Sequence, residues 1–125
     1  PLEQKLNEEL ITDLSADVIN LTGKLTLVQW ASVLGEVDIL IAPDTGAVHL
    51  ANALGTKVVG LYAVANPELT GPHQNLQFCV NKYPEACKQF SQSDPIDFHH
   101  RVHSSGAMEL IEFPEVRNKV KEALT

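Results

Sequence analysis

The stretch that decides the fold spans residues 37–55 and reads VDILIAPDTGAVHLANALG. It opens with the almost wholly apolar run VDILIA, which is typical of a strand buried on both faces of a parallel sheet. The four residues PDTG break this run. The remainder places Val48, Ala51 and Leu54 on one face of a helix that ends at Gly55. The stretch therefore predicts a strand, a tight turn and a helix.

Strand and helix patterns alternate on both sides of this stretch. The predicted strands are residues 18–21, 37–42, 57–63 and 76–80, and the predicted helices are residues 3–14, 26–35, 47–54 and 113–124. Thr26 and Gln29 have the spacing of a capping box. Residues 81–106 are polar and rich in Pro, His, Asp and Ser, so we expect a loop there with about one helical turn. The alternation predicts an α/β fold class, a Rossmann-like parallel sheet flanked by helices.

The composition is that of an ordinary globular chain of 125 residues. Hydrophobic residues make up 44% and charged residues 20%, which argues against disorder. The 9 Lys+Arg against 16 Asp+Glu give a net charge of −7, and the scattered basic residues argue against nucleic acid as a partner. Cys79 and Cys87 are too few for a disulfide scaffold. No signal peptide or membrane-spanning run is visible, and the start at Pro1 suggests an excised fragment.

The PDTG turn is the best candidate for a binding site. Ligands of open α/β sheets bind beyond the carboxyl ends of the strands, and the free amides and dipole of a helix N-terminus suit a phosphate. Gly46 has no Cβ, so a ligand can approach its backbone closely. Thr45 and His49 add a hydroxyl and an imidazole about one helical turn apart. A plainer alternative stays open, in which Asp44 or Thr45 merely caps the helix and His49 is a surface residue.

Three segments, LTGKLTL at residues 21–27, DTGAVHLA at residues 44–51 and ALGTKVV at residues 53–59, occur in the order of a known family pattern. Together they resemble glycosyltransferase family 9, the heptosyltransferases of the inner core of bacterial lipopolysaccharide. The resemblance implies a GT-B architecture of two Rossmann-like domains. Residues 1–125 match a partial C-terminal domain, which binds the nucleotide-sugar. The implied reaction of the full-length enzyme transfers a heptose, or a related sugar, from an ADP-sugar to a lipopolysaccharide core acceptor.

The resemblance also implies roles for single residues of the turn. The amides of Thr45, Gly46 and Ala47 would hold the diphosphate of the ADP-sugar. Asp44 would fix the turn or bind the sugar, and His49 would donate near the phosphates. No metal or cofactor is implied, because fixed donors aimed at the departing diphosphate supply the stabilisation.

Two residues outside the turn also match the family. Glu3 ends a PLE sequence that resembles the close of a Gly-Gly-Pro-x-Glu motif, and it would contact the donor sugar or the ribose. Lys24 belongs to the LTGKLTL segment and is assigned to donor binding with it. Without the resemblance, Lys24 is a strand-end lysine, because it lacks the upstream glycine of a P-loop.

The resemblance places the general base in an N-terminal domain outside residues 1–125, so this chain alone should bind rather than catalyse. It also places the enzyme in the cytoplasm, with peripheral association at the inner membrane. One departure bears on these expectations, because Ala63, Val64 and Ala65 stand where the family has Gly-Pro-Thr. A second reading therefore stays open: a non-catalytic nucleotide-binding or interaction domain of the same fold.

The polar loop contains a second group of candidate ligands. His99, His100 and His103 lie close in sequence to Asp94 and Asp97, which suggests a zinc site. The two cysteines do not form a CxxC pair, however, and nothing in the sequence places a second pair of ligands. The alternative is a solvated loop at the rim of the cleft.

Overall fold

The computed structural model describes residues 2–14, 17–91 and 100–125, and the chain divides into two compact units. The first unit spans Pro1–Ser32 and contains helix α1 (Leu2–Thr12), as predicted. The predicted strand at residues 18–21 is wrong, because residues 17–20 have no regular secondary structure and Ile19 is 81% exposed. β-branched side chains favour a strand only where a neighbouring strand packs against them, and the described part of this unit contains none.

The first unit also shows the predicted capping box. The amide of Gln29 donates to Oγ1 of Thr26 at 3.2 Å, and the amide of Thr26 donates to Oε1 of Gln29 at 2.9 Å. Helix α2 (Leu27–Glu36) starts directly after it and continues one residue past Gly35, the predicted end. The two reciprocal bonds satisfy amides that the first helical turn leaves free.

A three-stranded parallel sheet lies at the centre of the second unit, Val33–Thr125. Its strands are β1 (Ile39–Pro43), β2 (Lys57–Tyr62) and β3 (Val80–Asn81), in the order β1-β2-β3. The register pairs Ile39 with Lys57 and Leu61 with Val80. Because the strands are parallel, their carboxyl ends share one edge. This α/β sheet with flanking helices confirms the predicted Rossmann-like fold class.

Helix α3 (Gly46–Ala53) packs on β1 and β2. Val48 and Ala51 are completely buried, in a cluster with side chains of the two strands. Leu54, also predicted to face inward, is 46% exposed because it is the C-cap residue and lies outside the helix. Gly55 then adopts the left-handed conformation, with φ of 82°, and ends the helix as predicted.

The predicted strand at residues 76–80 is mostly wrong. After the short helix α4 (Pro67–Thr70), a 3₁₀ helix covers His73–Phe78, and only β3 follows it as a strand. The side chain of Asn75 explains the difference, because its Oδ1 accepts the amide of Val58 in β2 at 3.1 Å. A side-chain oxygen thus takes the place of a strand partner at the start of β2.

The polar stretch at residues 81–106 contains more helix than predicted. Helix α5 (Tyr83–Ala86) leads into a π-helical segment, Cys87–Ser91. Tyr83, Cys87 and Val102 belong to a second buried cluster, so part of this stretch is core rather than loop. Both cysteines are free and buried.

The last helix, α6 (Phe113–Leu124), begins as predicted with Pro in its first turn and packs against β2. Glu112 and Glu115 form a capping box at its start. A 3₁₀ turn, Met108–Leu110, precedes it. None of the helices in the described ranges has the length and apolar character that crossing a bilayer requires.

Gly60 in β2 should not tolerate a side chain. A Cβ there would lie 2.5 Å from Cε2 of Tyr62 and 3.0 Å from Sγ of Cys79, and both of those side chains are buried. We expect Gly60→Ala to lower the free energy of unfolding by about 1–3 kcal/mol, measured by urea denaturation.

Gly35→Ala is the matched control for this experiment. Gly35 is exposed on α2, and a Cβ there would approach only the Leu54 side chain, at 4.0 Å. This variant should be as stable as the parent or slightly more stable. Equal stability of the two variants would contradict the close packing at Gly60.

Candidate functional site

The PDTG turn lies at the carboxyl edge of the sheet. β1 ends at Pro43 and α3 begins at Gly46, so only Asp44 and Thr45 link the strand to the helix. Thr45 and Gly46 are exposed, and Ala47 is half-buried. A Cβ built on Gly46 meets no atom within 4 Å, so the space beside its backbone is open. The start of α3 is therefore accessible from outside the second unit.

The side chain of Thr45 does not cap α3. Thr45 is the N-cap residue, with an extended backbone (φ −141°, ψ 168°), but its side chain makes no capping hydrogen bond. Only its carbonyl takes part, accepting the amide of Val48 at 3.1 Å. The carboxylate of Asp44 bonds to Arg101 instead. These contacts contradict the plainer alternative for Thr45 and give Asp44 a partner outside the helix.

A cavity of about 310 Å³ opens beside this turn. Its walls come from the ends of β1 and β2, from the segment that follows β2, and from Arg101 and Met108 later in the chain. Apolar side chains such as Tyr62, Val64 and Met108 form most of it, while Asp44 and Arg101 bring charge. A small apolar cavity with a few convergent polar groups is the usual form of a ligand site.

An ion pair joins Asp44 and Arg101. Nη2 of Arg101 lies 3.4 Å from Oδ2 of Asp44, and the two side chains are 48% and 18% exposed. Beside them, burial raises the pKa of Tyr62 well above the ordinary value of a tyrosine, and the Asp44 charge adds to the rise. Tyr62 therefore stays neutral, and its hydroxyl contacts the carbonyl of Thr70 at 3.5 Å.

The segment that departs from the family pattern forms part of the cavity wall. Ala63 and Ala65 are buried, and the carbonyl of Val64 accepts the amide of Val102 at 2.9 Å. Asn66 then caps α4, with its Oδ1 accepting the amide of Glu68 at 3.1 Å. The segment is thus held by hydrogen bonds without the Gly-Pro-Thr sequence.

The structure brings five of the predicted site residues together on one turn and the first turn of one helix: Asp44, Thr45, Gly46, Ala47 and His49. His49 is exposed on α3. Glu3 and Lys24 belong to the first unit, where both are exposed, and their assignment to donor binding stays a prediction.

The zinc hypothesis finds no support in the part of the chain that the structure describes. Asp94, Asp97 and His99 lie outside the described residues. Within the described ranges, no three His, Cys, Asp or Glu side chains are grouped to hold a metal ion. The backbone carbonyl of His100 accepts the hydroxyl of Tyr83 at 2.7 Å, which is a structural role.

Sequence reasoning missed Arg101 as a residue of the site. It lies 57 residues after its partner Asp44, in a stretch whose histidines and aspartates are the more conspicuous candidates. A single arginine in a polar segment gives no sequence signal for such a contact. Only the fold brings the polar stretch back to the edge of the sheet.

An open parallel sheet with an uncapped helix N-terminus at its carboxyl edge is typical of α/β proteins that bind nucleotides. The family model of glycosyltransferase family 9 (heptosyltransferase) matches residues 2–99, more than half of the chain. The chain therefore belongs to this family, as the resemblance predicted.

Two curated relatives show the same affiliation. The chain is 34% identical over 105 residues to the lipopolysaccharide core heptosyltransferase OpsX of Haemophilus influenzae, covering 82% of this chain and 30% of the relative. It is 25% identical over 72 residues to lipooligosaccharide heptosyltransferase 2 of the same organism, covering 58% of this chain and 21% of that relative. The chain thus spans less than a third of the length of these relatives. No solved structure matches it.

The missing cap predicts that Thr45 contributes little to stability. We expect Thr45→Ala to change the free energy of unfolding by less than about 0.5 kcal/mol. The control is Asn66→Ala, which removes a side-chain cap that is present and should cost about 1 kcal/mol. Urea denaturation of both variants measures the difference, and a loss at Thr45 as large as that at Asn66 would show that Thr45 caps α3.

Proposed function

We propose that this chain is the donor-binding part, a partial C-terminal nucleotide-sugar-binding domain, of a lipopolysaccharide heptosyltransferase. Its ligand is then an ADP-sugar, either ADP-heptose or a related donor. The main support is the open, uncapped start of α3, where Thr45 and Gly46 are exposed at the carboxyl edge of the sheet. Family membership and the two relatives support the same class of reaction.

The diphosphate of the donor binds at the amides of Thr45, Gly46 and Ala47. A helix N-terminus carries a partial positive charge, and amide donors without an internal partner are satisfied by an anion. The net charge of −7 opposes this ligand, but it is spread over the chain and screened beyond about 8 Å. The attraction of donors in direct contact with the diphosphate therefore outweighs the repulsion by the net negative charge. His49, exposed one turn further along α3, provides an additional donor.

The transfer breaks the bond between the sugar and the diphosphate and forms a new bond to a hydroxyl oxygen of the lipopolysaccharide core acceptor, whose proton passes to the general base. Negative charge grows on the diphosphate as it leaves, and donors already fixed in place stabilise that charge without reorganising. Helix amides supply this stabilisation, so the donor needs no metal or cofactor. The carboxylate of Asp44, at the edge of the cavity, accepts a hydrogen bond from a hydroxyl of the sugar.

The acceptor-binding site and the general base belong to the part of the enzyme that corresponds to the remaining length of the relatives. On this assignment, residues 1–125 bind the donor and do not transfer sugar alone. The whole enzyme works in the cytoplasm, where it associates peripherally with the inner membrane that carries its acceptor.

Titration with ADP tests the donor site. In ¹H–¹⁵N spectra of the chain, we expect shifts centred on residues 45–49, because the amides there hold the diphosphate. No change at millimolar ADP would contradict this function and would favour a non-catalytic interaction domain of the same fold.

Gly46→Val tests the close approach of the ligand. The valine side chain would fill the open space beside the backbone, where no atom lies within 4 Å of the Cβ position, so the fold should persist. ADP affinity should fall at least about tenfold, or about 1.4 kcal/mol. Gly35→Val is the control, at an exposed helical glycine near the amino ends of the strands, and should bind ADP normally. Unchanged affinity in Gly46→Val would rule out the amide site.

A further inference from the structure

Arg101 is the only basic residue among the described residues that line the cavity. It contacts Asp44, which directly precedes the amides assigned to the diphosphate. In a chain with a net charge of −7, a cation beside a proposed anion site is a specific feature rather than part of a general basic surface. Nothing in the family motifs quoted above assigns it a role.

The backbone on both sides of Arg101 is fixed. The carbonyl of His100 accepts the hydroxyl of Tyr83 at 2.7 Å. On the other side, Val102 is buried, and its amide donates to the carbonyl of Val64 at 2.9 Å. The backbone position of Arg101 is therefore set by the core, while its side chain lines the cavity.

The contact with Asp44 involves only one of the nitrogens of the guanidinium. Arginine carries five N–H donors, and strong charged pairs have N to O distances of about 2.7–2.9 Å, often through two parallel bonds. Here one nitrogen lies 3.4 Å from one oxygen, and 48% of the arginine side chain is exposed. Such a half-exposed pair contributes little to stability, so a better acceptor can replace Asp44.

The geometry points to Arg101 as a second anchor for the donor: its guanidinium exchanges the Asp44 carboxylate for the diphosphate when the nucleotide-sugar binds. This inference rests on the proposed function and adds a residue to that site. A diphosphate carries more negative charge than a carboxylate and offers several oxygens to the planar fork of an arginine. The exchange also frees the Asp44 carboxylate to accept a hydrogen bond from a hydroxyl of the sugar.

The variant that tests this is Arg101→Met, which keeps the length of the side chain and removes its charge. We expect the Kd for ADP, measured by calorimetry on the whole chain, to rise about tenfold, the usual effect of losing a hydrogen bond to a charged group. The Kd for adenosine, which has no phosphate, should not change. The Kd of Arg101→Lys for ADP should lie between those of the parent and the methionine variant, because lysine keeps the charge but lacks the planar set of N–H donors.

Arg117→Met is the matched control. Arg117 is exposed on α6 and does not line the cavity, so the variant makes the same change in net charge elsewhere on the surface. It should bind ADP like the parent. An equal loss of ADP affinity in both variants, or an equal loss for ADP and adenosine in Arg101→Met, would overturn the assignment. Failure of the parent chain to bind ADP would instead contradict the proposed function and this inference together.

Discussion

The packing of α3 on the first two strands is the constraint on which the rest of the site depends. Val48 and Ala51 are completely buried against Ala42 and Val58, and burying one valine contributes roughly 1.5–3 kcal/mol. The link between β1 and α3 is only two residues long. With both ends of so short a link fixed, the first amides of α3 have one position available to them, at the carboxyl edge of the sheet. A binding site made of main-chain atoms needs this rigidity, because a mobile helix end would lose much of its interaction with a ligand in ordering itself.

The elements predicted correctly from sequence are those whose signal is local. The apolar run of β1, the turn after it and the glycine that ends α3 are all properties of a few neighbouring residues, and the family segments contain the same turn. The failures have a different origin. Residues 18–21 have strand composition but no neighbouring strand in the described part of their unit, and the amide of Val58 pairs with the side chain of Asn75 instead of with a strand. In both places, partners distant in the chain determine the local structure, and a short stretch of sequence does not reveal those partners.

The same distinction applies to the site. The turn residues could be predicted because they are contiguous, whereas Arg101 could not, since its partner lies 57 residues earlier. Charge adds to the difficulty. The composition, with a net charge of −7, argues against an anionic ligand, while affinity for a diphosphate depends on the few donors that touch it. The net charge of the whole chain is therefore a poor guide to such a site, and the position of one arginine is a better one.

The replacement of Gly-Pro-Thr by Ala63, Val64 and Ala65 has a consequence for the whole cavity. Two of these residues are buried, and the carbonyl of the third accepts the amide of Val102, which lies beside Arg101. The divergent segment and the stretch that positions the arginine are therefore one packed assembly. A wall without the threonine hydroxyl offers the ligand fewer polar contacts on that side. On the proposed function, specificity for the sugar would then depend more on Asp44, the charged residue that lines the cavity beside Arg101. On the same proposal, the segment after β2 and the arginine belong to one donor site, because the hydrogen bond between Val64 and Val102 joins the two stretches.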